Sequence, residues 1–451
     1  MTAQAGRRRR RTVLVGVLAV VLVALSAAGF VVGVITLTNS EEGEAVGVDD
    51  RPRVELPDTP NGLMVVVGAD GELASLAVAT LLPDGSGGSL ALVPTNADVN
   101  AGFGDEPQTV GEAWSSIDPT DDVDLDAFSM EVGAMLSIAI DQTGVYDGPA
   151  LVAALAPIDL VEVELPVAVL DSDAIGSGVV SDEGEQVLRR SEAIDALVAV
   201  DAFLSPIDQH ALDVAVWTAL VAATPVGDVD VTPAADGSVP PPSSFEELLE
   251  RLLAGPVIAR DLALAEVLVD PNGDLGGEVA IIDRRDALLV FGQVSPTRVL
   301  TPNGGLTFRV DSNVTEGQLA SSDVKFESLP EMMRNLIGEL LFFQSNPVSI
   351  DSVPGDDAAE VATRLEVAQE QFIGDVETLA ELVFGESEVV LADEVIEGID
   401  VVVTLGTGYL DFRASVDVGE IEEPNVDEAD ETDASVESVD DSGDGDGGDG
   451  G

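Results

Sequence analysis

Residues 63–93 read LMVVVGADGELASLAVATLLPDGSGGSLALV, and this stretch decides how the chain begins to fold. Its three apolar segments, 63–67, 73–82 and 89–93, are separated by two polar segments that each contain an Asp-Gly pair. Short apolar segments on either side of Asp-Gly turns are typical of β-strands joined by tight turns. We therefore predict an antiparallel meander of three strands.

Helical and strand patterns alternate after the meander. Four segments carry apolar residues at helical spacing, and one segment alternates between apolar and polar residues as a strand does. The predicted helices are 125–140, 149–155, 184–203 and 208–223, and the predicted strand is 160–165. Together these elements predict a mixed-sheet α/β domain over residues 62–223.

The second half of the chain divides into three parts. Residues 224–300 begin with a Pro/Gly/Asp-rich break and are predicted to be a linker, with a short helix at 245–254 and strands that include 287–291. Strand and helix patterns alternate again over 306–413, which predicts a smaller C-terminal α/β domain. Residues 414–451 are acidic and Gly-rich without a basic residue, and are predicted to be a disordered tail.

The N-terminal residues predict a membrane anchor. Residues 1–11 contain five arginines and no acid, and residues 12–37 are free of charge and long enough to cross a bilayer as a helix. The positive-inside rule then places a basic stub in the cytoplasm and the bulk of the chain outside it, after a polar stalk at 38–61. We expect a single-pass protein of the cell membrane. A cleaved secretory signal is the alternative.

Composition excludes several kinds of chemistry. The chain of 451 residues has no cysteine and one histidine, so it has no disulfide, thiol nucleophile or His-rich metal centre. Acids number 85 against 19 basic residues. Such a charge repels phosphate backbones, and we expect no nucleic-acid partner.

The order of several motifs resembles a known family. Residues 63–70 are similar to an opening strand that ends in Gly-Ser-Asp, and Leu92–Asn96 falls where that family has Ser-Ile-Pro-Arg-Asp. Residues 182–188 resemble the Gly-Glu-Gln that precedes its Arg-rich helix, and residues 399–409 resemble the closing strand of an appended C-terminal domain. The chain thus resembles the LytR-CpsA-Psr family of cell-envelope proteins, followed by a LytR C-terminal domain.

The resemblance implies a chemistry that the residues here do not match. Family members transfer glycopolymers from polyprenyl pyrophosphate carriers to peptidoglycan, and hold the pyrophosphate with arginines beside aspartates and magnesium. The family's Arg-Asp pair corresponds to Thr95-Asn96 here, and its Arg-x-Arg position falls within 193–201, which contains no arginine. Each lost charge-assisted contact removes roughly 1.5–3 kcal/mol. We therefore expect a non-catalytic relative that binds or scaffolds cell-wall or envelope components.

The candidate ligand-binding residues are Asp70, Thr95, Asn96, Arg189 and Arg190, and Asp70 is also the candidate catalytic residue. We predict no cofactor and no metal site. A diverged transferase is the first alternative. It would need magnesium and arginines that converge on Asp70 from elsewhere in the chain, with Arg189, Arg190, Arg284 and Arg285 as the candidates. The second is an acidic surface protein with an unrelated α/β fold. The predicted fold class is α/β: a transmembrane helix, a mixed-sheet domain like that of the family, and the smaller C-terminal domain.

Overall fold

The computed structural model describes residues 51–101, 106–171, 178–199, 204–225, 239–269, 277–351 and 362–417. Strands and helices follow one another along most of this length. The strands are β1 (Arg53–Val54), β2 (Asn61–Val67), β3 (Leu73–Leu81), β4 (Gly88–Val93), β5 (Thr143–Asp147), β6 (Leu160–Leu165), β7 (Val169–Asp171), β8 (Gly178–Ser181), β9 (Gly184–Arg189), β10 (Val257–Asp261), β11 (Leu264–Val269), β12 (Glu278–Ile282), β13 (Thr307–Ser312), β14 (Asn346–Asp351), β15 (Thr363–Val367), β16 (Ser387–Leu391), β17 (Val395–Ile396) and β18 (Val401–Leu405). The α-helices are α1 (Val110–Ser115), α2 (Asp122–Leu136), α3 (Gly148–Ala154), α4 (Arg190–Val198), α5 (Pro206–Ala222), α6 (Phe245–Leu252), α7 (Arg284–Val294), α8 (Glu316–Ser321), α9 (Leu329–Phe342), α10 (Ile373–Val383) and α11 (Thr407–Asp417).

The predicted fold class is wrong in one respect, because it included a transmembrane helix. Among the described residues, none of the helices combines the length and the apolar character that crossing a bilayer requires. The fold class is corrected to a mixed α/β fold. Residues 12–37, where the helix was predicted, lie outside the described residues, as do most of the predicted stalk and the tail beyond residue 417.

The first sheet has five strands in the order β10-β4-β3-β2-β5. Strands β2, β3 and β4 pair antiparallel with their sequence neighbours, which confirms the predicted meander. Strand β5 is parallel to β2, and β10 is parallel to β4. Side chains that point to either face are buried, as Leu63 and Met64 show at 0% exposure each, because the sheet is covered on both sides.

Two adjacent glycine positions let α6 pack closely on this sheet. A Cβ atom on Gly144 would lie 2.3 Å from the Phe245 ring, and one on Gly62 would lie 2.7 Å from it. The ring therefore occupies space that any larger residue of β2 or β5 would fill. Phe245 is buried and joins the core that α3, α4, α5 and α6 form on this face.

Several local predictions differ from the structure. Residues 184–203 were predicted to be one helix, but residues 184–189 form β9, which pairs antiparallel with β6, and residues 190–198 form α4. Residues 200–203 lie outside the described residues. Residues 287–291 were predicted to be a strand and lie inside α7. In the first case strand pairing outweighs helix propensity. In the second, burial on all sides hides the helical period.

The stretch predicted to be a linker is part of the folded core. Strand β10 extends the first sheet beside β4, and α6 buries Phe245, Leu248, Leu249 and Leu252. Strands β11 and β12 form an antiparallel pair. This region therefore contributes one strand of the sheet and one of its covering helices.

The second sheet also has five strands, in the order β14-β13-β18-β15-β16. Strand β13 runs parallel to both of its neighbours, and β15 runs antiparallel to β18. Helices α9 and α10 pack against this sheet. Helix α11 continues past residue 413, where the tail was predicted to begin.

Helix α7 lies between the two sheets. All residues from Asp286 to Gly292 are buried, and the helix packs against β4 as well as β14 and α9. Its Gly292 allows the closest approach, since a Cβ atom there would lie 3.1 Å from Ile350. Arg334 of α9 donates to Asp286 at 3.5 Å. Residues 56–392 form one compact unit with the chain from 398 onward.

A second, small unit contains residues 393–397 together with the chain up to Glu55. In its described part, β1 pairs in parallel with β17, with Arg53 opposite Val395.

Candidate ligand-binding site

A cavity of about 380 Å³ lies where the carboxyl end of β4 meets the start of β3. The first turns of α1 and α5 and the start of β12 complete its wall. Its described lining combines hydroxyl, amide and carboxylate groups with small apolar residues: Leu73, Ala74, Thr95, Asn96, Thr109, Gly111, Glu112, Ser115, Ala199, Leu204, Pro206, Gln209, Gly277 and Glu278.

Thr95 and Asn96 reach the cavity because they directly follow β4. Asn96 is buried and donates from Nδ2 to the Glu278 carbonyl at 3.0 Å. Ala280 donates its backbone N–H to the Asn96 carbonyl at 2.9 Å. The β12 strand is thereby fixed to the end of β4, and Glu278 is held beside the cavity.

Helix α1 presents polar groups to the cavity through its capping box. The Thr109 hydroxyl accepts from the Glu112 N–H at 3.1 Å, and Glu112 accepts from the Thr109 N–H at 2.8 Å. Gly111 donates to the Thr95 carbonyl at 2.8 Å, which ties the helix to the segment after β4. The positive end of α1 is therefore matched by its own carboxylate.

A buried polar chain lies behind Gln209. Gln209 donates from Nε2 to Asp213 at 3.2 Å, and Trp217 donates from its indole to the Ser75 hydroxyl at 3.1 Å. Asp213 is 3% exposed. Burial raises its pKa well above the ordinary value, although hydrogen bonds from Gln209 and Ser75 oppose the shift. Trp217 fills the space behind this chain at 1% exposure.

Glu278 supplies an acceptor that the described part of the protein leaves unused. Its Oε2 is shielded from solvent and has no hydrogen-bond partner among the described residues. A carboxylate oxygen that is shielded from water and accepts no hydrogen bond is energetically unfavourable. A ligand that donates a hydrogen bond to this oxygen would therefore bind more tightly.

The cavity lining contains no Lys or Arg among the described residues. Five of the 19 basic residues are Arg7–Arg11, and all of the others lie at described positions. The undescribed segments after residue 50 therefore contain no Lys or Arg that could join the cavity lining. An anionic ligand would meet Glu112 and Glu278 with no positive side chain to offset them.

The arginines considered from the sequence are directed elsewhere. Arg190 donates to the carbonyl oxygens of Leu155, Ala156 and Ile158, where it caps the end of α3. Arg189 is exposed at the start of α4.

The two other arginines that the transferase alternative could draw on are engaged as well. Arg284 donates to the Ser137 hydroxyl at 3.2 Å. Arg285 pairs with Asp283 at 2.7 Å.

Asp70 does not line the cavity. It is exposed in the turn between β2 and β3, and Trp114 of α1 donates to the neighbouring Gly71 carbonyl at 2.9 Å. Of the five candidate residues, the structure therefore brings only Thr95 and Asn96 to the cavity. The described residues contain no group of three or more histidine, cysteine or acidic side chains that could hold a metal ion.

Sequence reasoning missed most of the cavity wall. Thr109 and Glu112 had a readable signal, because Thr-x-x-Glu before an apolar segment marks a capping box. Glu278 had none: its place depends on how β12 attaches to the segment after β4. Gln209 was not among the candidate residues either.

No protein-family model matches the chain, and no curated protein matches it. Solved structures with a similar fold include LytR-CPS2A-psr proteins. B. subtilis TagV is 16% identical over 48% of this chain and 89% of its own, with a TM-score of 0.33. The family protein YwtF (TagT), solved with octaprenyl pyrophosphate lipid, is 15% identical over 51% of this chain and 86% of its own, also at 0.33. The Lin1025 protein of Listeria innocua is 12% identical over 51% and 94%, at 0.31.

At such identities and TM-scores the similarity does not establish the family, and function has to be argued from the residues of the cavity. A LytR C-terminal domain is not shown by these matches, and that part of the resemblance stays a prediction.

Proposed function

We propose that this protein is a non-catalytic binding module of the cell envelope, whose cavity takes a neutral, hydroxyl-rich ligand such as a saccharide. The carrying observation is the cavity lining of hydroxyls, amides and carboxylates without a cation. Carboxylate and amide oxygens accept from sugar hydroxyls, and Thr95, Thr109 and Ser115 add groups that both donate and accept. A pyrophosphate would need fixed positive groups in the same places.

The envelope location and envelope partners belong to the same proposal. They are supported by the acidic composition and the motif resemblance. The lining offers no aromatic side chain among the described residues for a sugar ring to stack on. We therefore expect weak binding, with a Kd on the order of 1 mM, or about −4 kcal/mol.

The test compares two soluble ligands on the full chain by ligand-observed NMR. Tetra-N-acetylchitotetraose represents a cell-wall saccharide, and geranyl pyrophosphate represents the anionic carrier head. We expect saturable saccharide binding and no saturable pyrophosphate binding. Glu278→Gln is expected to weaken saccharide binding about tenfold, because a charged acceptor is worth roughly 1.5–3 kcal/mol.

Glu266→Gln is the matched control, because this substitution removes the same charge from an exposed position on the adjacent strand β11. It should leave saccharide binding unchanged. Saturable binding of geranyl pyrophosphate at the cavity, tighter than that of the saccharide, would reject the proposal and favour the diverged transferase.

A further inference from the structure

A second cavity, of about 550 Å³, lies between β5 and the helices α3, α5 and α6. It is separate from the first in its lining, with which it shares no residue. The residues around it are mostly apolar: Tyr146, Ala154, Pro157, Pro225, Glu246, Leu249, Glu250, Leu253 and Ala254. Its volume falls in the range of small-molecule sites.

The floor of this cavity is apolar and fixed. Leu249, Leu253 and the Tyr146 ring are each more than nine-tenths buried, and they belong to the main core cluster. The Tyr146 ring is also held by Phe245, with the two ring centroids 5.9 Å apart. An apolar ligand placed on this floor would be removed from water at about 25 cal/mol per Å².

The rim of the cavity is negative. Glu246 and Glu250 are exposed, and lie four residues apart on α6, so that they occupy the same face of the helix. Among the described residues, the lining contains no basic side chain. Arg190, which caps the end of α3, is directed at carbonyl oxygens and is not part of the lining.

Apart from α3, whose end Arg190 caps, two helices end at this cavity. Helix α5 ends at Ala222, with Pro225 on the cavity wall, and α6 ends at Leu252, with Leu253 and Ala254 on the wall. The carboxyl end of a helix carries a partial negative charge from its unpaired carbonyl groups. Helix ends and rim carboxylates thus favour the same sign of ligand charge.

Tyr146 adds a polar group at the floor. Its hydroxyl is shielded from solvent and has no hydrogen-bond partner among the described residues. Burial, with a smaller contribution from Glu246, raises the pKa of Tyr146 to about 12, so the hydroxyl stays protonated at neutral pH. The ring itself can face a cation.

We propose that this cavity binds an amphiphilic cation: an apolar body seated on Leu249, Leu253 and Tyr146, with a positively charged amine held at Glu246 and Glu250. An anionic amphiphile of the same size would meet the two carboxylates and the two helix ends, and is rejected. This inference is independent of the first cavity and of its proposed ligand.

The experiment uses 4-phenylbutylammonium as the probe on the full chain at neutral pH, with binding followed by saturation-transfer NMR. Two comparison ligands separate the contribution of the positive charge from that of the apolar body. 4-Phenylbutanoate has a similar apolar body with a negative charge, and methylammonium has the positive charge without the apolar body. We expect saturable binding of the phenylbutylammonium alone. The anion and the bare amine should each bind at least about tenfold more weakly.

Variants locate the binding. The double change Glu246→Gln with Glu250→Gln should weaken the probe about tenfold. The matched control removes two carboxylates from the exposed face of β6, through Glu162→Gln with Glu164→Gln, and should change binding less than twofold. Leu249→Trp fills the cavity and should abolish binding. Ala154→Trp fills the cavity from its wall and should also abolish binding, so it replaces Leu249→Trp if that variant does not fold.

Two results would overturn the inference. One is equal weakening by the β6 control pair and the rim pair, which would mean that the probe responds only to the overall negative charge. The other is unchanged binding in a folded variant whose cavity is filled.

Discussion

Asp213 carries a carboxyl group where water does not reach, and the direction of its pKa shift has a consequence for stability. Because burial raises its pKa, the native state keeps a proton that the unfolded chain releases above about pH 3.9. The native state then binds more protons in the window above that pH, so the free energy of unfolding falls as pH rises through it. We expect Asp213→Asn to remove this fall, and so to gain stability relative to wild type between pH 5 and pH 7, by at most about 1.4 kcal/mol per pH unit.

Urea unfolding at the two pH values measures this difference. Asp126→Asn, at an exposed position of α2, is the isosteric control and should follow the wild-type profile. Parallel profiles for wild type and Asp213→Asn would show that the carboxyl does not titrate in this window.

At the residue scale, sequence patterns reached only part of the site. Thr95 and Asn96 could be named because they fall where the resembled family has its Arg-Asp pair, shortly after a strand that the apolar pattern predicted correctly. Asp213 and Glu278 could not, because each owes its role to contacts with residues distant in sequence, Ser75 and Asn96. Arg189 and Arg190 were candidates by charge alone, and Arg190 serves as a helix cap instead.

At the element scale, the seating of α6 on the first sheet depends on two glycines. A methyl group at Gly144 would overlap the Phe245 ring, and the backbone of β5 cannot move without breaking its pairing with β2. We expect Gly144→Ala to lower the free energy of unfolding by about 1–3 kcal/mol, as overpacked cores do. Chemical denaturation gives the value.

Gly317→Ala makes the comparison specific. Gly317 is exposed in α8, where an added methyl group meets no close neighbour, and alanine favours a helix by about 1 kcal/mol over glycine. This variant should be neutral or more stable. Destabilisation of both variants to the same degree would argue against a special role for the Phe245 contact.

Elements with a clear period were predicted well, and those without one were not. Strands β2, β3, β4 and β6 and helices α5 and α6 lie within a few residues of their predicted positions. Helix α7 was predicted as a strand because its buried residues run without interruption from 286 to 292. No pattern in the sequence distinguishes a fully buried helix from a buried strand over such a length.

At the scale of the whole molecule, α7 couples the two sheets. Its apolar surface is covered by β4 on one side and by β14 and α9 on the other. We expect amide hydrogen exchange in β3 and in β13 to become fast at the same urea concentration, as it does within one cooperative unit. Earlier exchange in β13 would show that the second sheet opens alone.

Gly292→Val perturbs the same contact directly. Because its Cβ atom would press on Ile350, the change should lower the urea midpoint of both strands together. The Gly317→Ala variant again provides the comparison. A lower midpoint in β13 alone would separate the two sheets energetically.

The position of α7 also limits which truncations and recombinations of this gene can yield a folded protein. Residues 284–294 precede every strand of the second sheet, yet part of the surface of α7 is covered by β14 and α9. A gene fragment that stopped near residue 300 would encode a product in which the surface of α7 that β14 and α9 cover is exposed to water, and we expect it to be degraded more readily. If recombination replaced the second sheet with an unrelated one, the new sheet would need a surface that packs closely against α7 at Gly292. We therefore expect the two sheets to be gained and lost together among descendants of this protein.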